Sequence, residues 1–156
     1  MSPEMVQLAR TAAATEGLDP ALVLAVVAQE SGGNPWLSRY EPGFFARYID
    51  KSAIHIVVQE FCRKAPYTVS FETELRERAT SRGLMQILGQ VAREQGFLEP
   101  IPKLHDAPTG LQWGCKFLRK CLDRNNGDTR RALLRWNGGS DPLYPDKVFN
   151  RMEQYV

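Results

Sequence analysis

The feature that most constrains the fold is the run Ala21-Leu22-Val23-Leu24-Ala25-Val26-Val27, bracketed by Asp19-Pro20 before it and Gly32-Gly33 after it. An aspartate followed by proline reads as an N-cap with proline at the first helical position. Two glycines followed by Asn34-Pro35 end the helix. The segment Ala21 to about Ser31 is therefore a helix, and its apolar content requires that other elements cover it. Stepping back from Glu30 by seven, four and three residues gives Val23, Val26 and Val27, which share its face. A carboxylate at the end of a buried apolar stripe needs a reason. Desolvation raises its pKa, and the partial negative charge at the helix C-terminus pushes the same way. A glutamic acid that keeps its proton near neutral pH is the group that glycosidic cleavage needs, because the leaving oxygen must be protonated as the bond breaks.

Other elements follow from similar punctuation. A helix runs from Pro3 to about Glu16 and stops at Gly17. Thr73 to Arg78 permits a helix, and another is expected from Ser81 to Gln95, closed by Gly96. Residues 99–108 hold Pro100, Pro102 and Pro108 and read as an extended connector. Thr109 is a candidate cap for a helix from Gly110 to about Arg124. Thr129 to Trp136 and Pro145 to Tyr155 complete the set. Residues 36–72 are the least legible: Phe44 to Ile49 permits helix, and Ile54 to Cys62 permits helix or a short strand at Ile54–Val58. The 156 residues show no repeat, no low-complexity linker and no boundary, so the expectation is one mainly α domain spanning 1–156.

Composition narrows the function. Twenty basic and eighteen acidic residues are well mixed, for a net charge of +2. That is too even for a nucleic-acid footprint, and no stretch approaches the ~20 apolar residues of a membrane span. The three cysteines, Cys62, Cys115 and Cys121, are an odd number and argue against a disulfide framework. Cys115 and Cys121, six apart, are expected on different faces of their helix. His55 and His105 are isolated, and no cysteine–histidine cluster has metal-ligand spacing. The opening Met1-Ser2-Pro3-Glu4 lacks a secretory-signal pattern.

Two further motifs stand beside Glu30-Ser31. In Ser81-Arg82-Gly83-Leu84-Met85-Gln86-Ile87, glycine permits close approach of a ligand, Met85 offers adaptable apolar surface, and Gln86 offers donors and an acceptor. That combination suits an N-acetyl sugar. In Leu133-Leu134-Arg135-Trp136-Asn137-Gly138-Gly139, a ring able to stack on a sugar precedes an amide. Each motif alone is equally at home in an ordinary amphipathic helix or a glycine-capped helix end. In this order, Glu30-Ser31, Gly83-Leu84-Met85-Gln86 and Arg135-Trp136-Asn137 resemble the soluble lytic transglycosylase family and its goose-type lysozyme relatives, over Leu18 to the C-terminus. The family's own pattern is Glu-Ser, Gly-Leu-Met-Gln and Ala-Tyr-Asn.

The resemblance implies a lysozyme-like α-helical fold with a glycan groove. It also implies cleavage of the β-1,4 bond between N-acetylmuramic acid and N-acetylglucosamine in peptidoglycan, without metal or organic cofactor. Glu30 would be the acid and then the base. Ser31 would orient Glu30 or the muramic substituent, and Gly83, Met85, Gln86, Trp136 and Asn137 would bind substrate. Tyr144 is the candidate for a tyrosine that many relatives carry after the third motif. The expected partner is the peptidoglycan strand, met in the periplasm or wall by a monomer that inserts in no membrane. Reaching it calls for phage lysis, a special export route or a trimmed leader. Three departures stand out. Trp136 replaces tyrosine, Arg135 replaces a small residue, and the gap between Glu30 and Gly83 is long. That gap contains Arg39-Tyr40-Glu41-Pro42, which resembles a segment of some phage-type wall-cleaving enzymes. Glu41 is either a second carboxylate that steers the reaction to hydrolysis or a loop residue paired with Arg39 or Arg47.

Overall fold

The computed structural model describes residues 1–156, and its centre is the apolar helix. The first helix, α1 (Pro3–Thr15), is capped by Ser2, whose hydroxyl accepts from the Met5 N–H at 3.2 Å. Gly17 follows in the left-handed region, as its sequence position implies. In α2 (Pro20–Ser31), Asp19 caps the N-terminus by accepting from the Ala21 N–H at 2.8 Å, and Gly32 ends the helix at φ 61°. All seven residues Ala21 to Val27 are buried. Burial all round, rather than of one stripe, is the signature of a central core helix. Each buried valine or leucine contributes roughly 1.5–3 kcal/mol relative to exposure.

The stretch 36–72 resolves into short pieces: strand β1 (Ser38–Tyr40), a single turn α3 (Pro42–Phe44), a π-helical turn Phe45–Ile49, helix α4 (Ser52–Lys64) and helix α5 (Phe71–Arg78). Ile54–Val58 thus lies inside a helix, not a strand. Ile49, Val58, Leu75 and Ala79 make a small core of their own.

The expected helix from Ser81 to Gln95 is a correction. The chain forms strand β2 (Thr80–Arg82), a turn, strand β3 (Ile87–Leu88) and only then a short helix, α6 (Gly89–Glu94). The sheet is antiparallel in the order β1-β2-β3, with Arg39 opposite Ser81 and Ser81 opposite Leu88. Leu84, Met85 and Ile87 are buried, as a helix would also require, so apolar spacing did not separate the two conformations. The deciding contacts are tertiary. Gly83 sits at φ 81° against the Leu104 carbonyl, where a Cβ would lie 2.2 Å from the oxygen, and a Cβ on Gly89 would lie 2.1 Å from the Glu77 carbonyl oxygen.

Residues 101–105 form a 3₁₀ turn instead of an extended connector. Helix α7 (Ala107–Arg124) starts earlier than expected, capped by Asp106, which accepts from the Thr109 N–H at 3.1 Å. Proline at 108 is tolerated because it falls in the first helical turn. Cys115 and Cys121, six apart on α7, are both buried. Burial pushes their thiols up to about 12 and about 11. Helices α8 (Thr129–Trp136) and α9 (Tyr144–Met152) follow. α2 packs on α1 and α9, and α7 packs on α1 and α8, enclosing a core of 25 buried residues. No helix is long and apolar enough to cross a membrane.

A buried ionic cluster joins α5 to α6. The Glu74 carboxylate, 1% exposed, accepts from Arg78 Nε at 2.9 Å and from Arg93 Nε at 2.7 Å. Arg93 also donates to the Tyr67 hydroxyl and to the carbonyls of Phe97 and Glu99. Removing one partner of such a cluster leaves uncompensated charge in the interior. Glu74→Ala is expected to lower unfolding free energy by about 3–5 kcal/mol in urea titrations; a loss below about 1 kcal/mol would mean that water reaches the two guanidiniums. Gly83→Ala meets backbone at a positive φ and should lose about 2–4 kcal/mol. Gly43→Ala, with open space around the new methyl, should stay within about 0.5 kcal/mol.

Candidate active site

Three helices bring the site together. Glu30 lies in the last turn of α2, just before the left-handed Gly32. Its Oε1 accepts from Trp136 Nε1 at 3.1 Å, at the end of α8, and from the Tyr144 hydroxyl at 2.5 Å, at the start of α9. Both donors fall on one oxygen, and Oε2 has no hydrogen-bond partner within the protein. The groove, about 430 Å³, is lined by Glu30, Gln86, Trp136 and Asn137, and also by Glu41, Arg39 and Phe44.

The electrostatics follow from this placement. Burial raises the Glu30 pKa; the Tyr144 and Trp136 hydrogen bonds and the Arg39 charge pull it back only in part. Tyr144 is buried, and its phenol is held far above its ordinary value, by burial first and then by the adjacent carboxylate. It therefore remains a donor throughout the accessible pH range. Trp136 contributes its indole N–H as the second donor to the Glu30 carboxyl. Its ring also packs on Phe117, with centroids 5.3 Å apart.

The remaining residues divide. Gln86 lines the groove at φ 49°, with its amide nitrogen donating to the Leu37 carbonyl at 2.8 Å and the Gly83 carbonyl at 3.0 Å. Both amide hydrogens being engaged, its oxygen is the part free to meet a ligand. Asn137 accepts from the Asp141 N–H at 2.9 Å and shapes the turn that forms the groove edge. Glu41 lines the same groove and bonds Arg39 Nε at 2.5 Å, so the pairing with Arg39 foreseen for a loop residue is present.

Four residues expected to bind substrate do not line the groove. Tyr144 is buried behind it, with its hydroxyl on the Glu30 carboxyl. Met85 is fully buried and fills the space beside Gly114, where a Cβ would lie 2.4 Å from its sulfur. The close approach that Gly83 permits is to the Leu104 backbone, not to a ligand. Ser31 Oγ lies 2.8 Å from the Leu84 carbonyl and accepts from the Gly33 N–H. It ties the end of α2 to the 83–86 turn, and so acts on Glu30 through position. Sequence reasoning missed Arg39 and Phe44 as lining residues, since both come from the segment with the weakest periodicity. His105 is structural: its Nε2 accepts from Arg82 Nη1 at 2.9 Å and its Nδ1 donates to the Pro35 carbonyl at 2.8 Å. No group of three or more His, Cys, Asp or Glu side chains gathers as a metal cradle.

Compared with models of known protein families, with curated proteins and with solved structures, the chain matches none. The chemistry of the site is read from its own geometry.

That geometry has a thermodynamic consequence. Because burial raises the folded-state pKa, the folded chain holds the Glu30 proton more tightly than the unfolded chain does. The stability from this group is complete below the ordinary value of 4.5 and is lost as pH rises through the raised value. Glu30→Gln keeps an acceptor for Tyr144 and Trp136 but carries no charge. Its melting temperature relative to the parent should therefore rise between pH 4.5 and neutrality. A difference that stays flat across that range would show the carboxylate to be solvated.

Proposed function

We propose that the protein is a lytic transglycosylase of peptidoglycan, with a lysozyme-like fold and the groove as its glycan site. The observation that carries this reading is the desolvated Glu30 carboxyl facing the groove, with Oε1 held by two donors. A general acid must be within reach of its target and hold a proton at working pH. Fixing one oxygen fixes the direction in which the other presents that proton.

In the first step Glu30 protonates the oxygen of the β-1,4 bond between N-acetylmuramic acid and N-acetylglucosamine. The C1–O bond breaks, and the muramic ring takes oxocarbenium character. Glu30, now a carboxylate, takes the proton of the C6 hydroxyl of the same ring as O6 bonds to C1. The products are a 1,6-anhydromuramic end and a free 4-hydroxyl, with Glu30 protonated again. Tyr144 and Trp136 stabilise the anionic form between the two steps without yielding a proton. The Gln86 oxygen and Asn137 suit the amide and hydroxyl groups of N-acetyl sugars. Neither step calls for a metal or an organic cofactor, and one chain supplies every group named.

A second reading, a muramidase that uses water as acceptor, has one observation in its favour: Glu41 lines the groove that holds Glu30. Its bond to Arg39 favours a role as an ion-pair partner over that of a base.

Mass analysis of muropeptides released from purified wall separates the readings. The transglycosylase yields anhydro ends; hydrolysis yields products heavier by one water. Glu30→Gln should lose at least about 10²–10⁴-fold in rate, and Glu41→Gln should change the anhydro-to-hydrated ratio little. Undiminished release by Glu30→Gln would end the assignment, as would intact wall binding with no fragments from the parent.

A further inference from the structure

Phe44 belongs to the groove, and the chain beyond it carries the groove's chemistry outward. Pro42 starts a single helical turn that passes into the π-helical turn Phe45–Ile49, whose ends are pinned by Phe45 N–H to Glu41 O at 2.9 Å and Asp50 N–H to Phe45 O at 2.8 Å. π-Helical turns are rare and are frequent at functional sites. This one sorts its side chains sharply. Ile49 is fully buried in the small core, and Phe45 turns toward the Arg76 guanidinium, 5.7 Å from its ring centre. Tyr48 faces the other way, 49% exposed, with its ring centre 5.0 Å from that of Phe44 and the planes inclined at 44°. Two inclined rings, one lining the pocket that holds Glu30 and the next exposed outside it, form a continuous aromatic surface.

We propose that Phe44 and Tyr48 are a sugar-stacking extension of the groove, which takes a pyranose ring of the same glycan strand beyond the bond at Glu30. The inference rests on the glycan reading of the groove. A pyranose presents C–H groups on one face and hydroxyls at its rim, which matches a tyrosine with an apolar face and a polar tip. The occupant is committed by continuity: Phe44 lines the pocket that holds Glu30, so a strand leaving that pocket on this side meets Tyr48 next. Segment 42–49 is then a device for holding long strands, and the protein favours cleavage within a strand over trimming of its ends.

The test is binding of β-1,4-linked N-acetylglucosamine oligomers, a disaccharide and a hexasaccharide, to the Glu30→Gln protein by calorimetry. Tyr48→Ala in that background is expected to weaken hexasaccharide binding about three- to tenfold and leave the disaccharide unchanged, with Tyr48→Phe behaving as the parent. Tyr48 is exposed, so folding is not at stake; circular dichroism checks it. Equal losses for both oligomers, no loss for either, or no binding of the hexasaccharide at all would overturn the extension. The two readings fail separately. Anhydro-muropeptides released by a protein whose hexasaccharide affinity ignores Tyr48 would remove the extension alone. Tyr48-dependent affinity in a protein that releases no fragments would remove the catalytic reading alone.

Discussion

The pair of hydrogen bonds on Glu30 Oε1, from Tyr144 at 2.5 Å and Trp136 at 3.1 Å, joins the end of α2 to two helices more than 100 residues further along the chain. A carboxyl group between those helices, unpaired, would oppose their packing, since burial of a charge without partners is strongly unfavourable. Two donors reduce that penalty without removing it, and the group's pKa remains raised. The site is thus an unrelieved tension at the edge of a well-packed core. α2 tolerates it because the run Ala21 to Val27, which anchors the helix, is wholly apolar and buried.

The rest of the structure serves this placement. Ser31 fastens the end of α2 to the carbonyl of Leu84, so the turn 83–86 cannot drift relative to the acid. That turn is in its place because Gly83 lies flush against the Leu104 backbone and because Met85 fills the notch at Gly114. The Glu74–Arg78–Arg93 cluster holds α5 and α6 together beside the sheet, and β1 on that sheet delivers Arg39 to the groove wall. Apolar packing fixes one side of the groove and ionic contacts fix the other.

Some of this was legible in residues alone. Asp19-Pro20 and Gly32-Gly33 set the bounds of α2, because proline geometry, side-chain capping and left-handed glycine act within a few residues. The order Glu30-Ser31, Gly83 to Gln86, Trp136-Asn137 and Tyr144 pointed to positions that the fold does gather round one acid, directly or through the turn they build. Which members face the groove was not legible. Met85 and Gln86 are neighbours, yet one fills the core and the other meets solvent, and only the left-handed conformation at Gln86 separates them. Glu74 read as one charge in a polar helix; its partner Arg93 is nineteen residues away, beyond the reach of local pattern.

The sequence by itself determined the bounds of α1, α2 and α8, that α2 must be central, and that Glu30 lies in its last turn. Those outcomes follow from local torsional preferences and from one apolar run too long to leave in water. The tertiary structure decided that 80–88 is a hairpin, that 39–44 supplies residues of the groove wall beside the small core of Ile49, Val58, Leu75 and Ala79, and that one oxygen of Glu30 takes both donors. Each of these depends on a backbone carbonyl, an indole or a phenol brought in from a remote part of the chain, and such contacts exist only after the helices have packed.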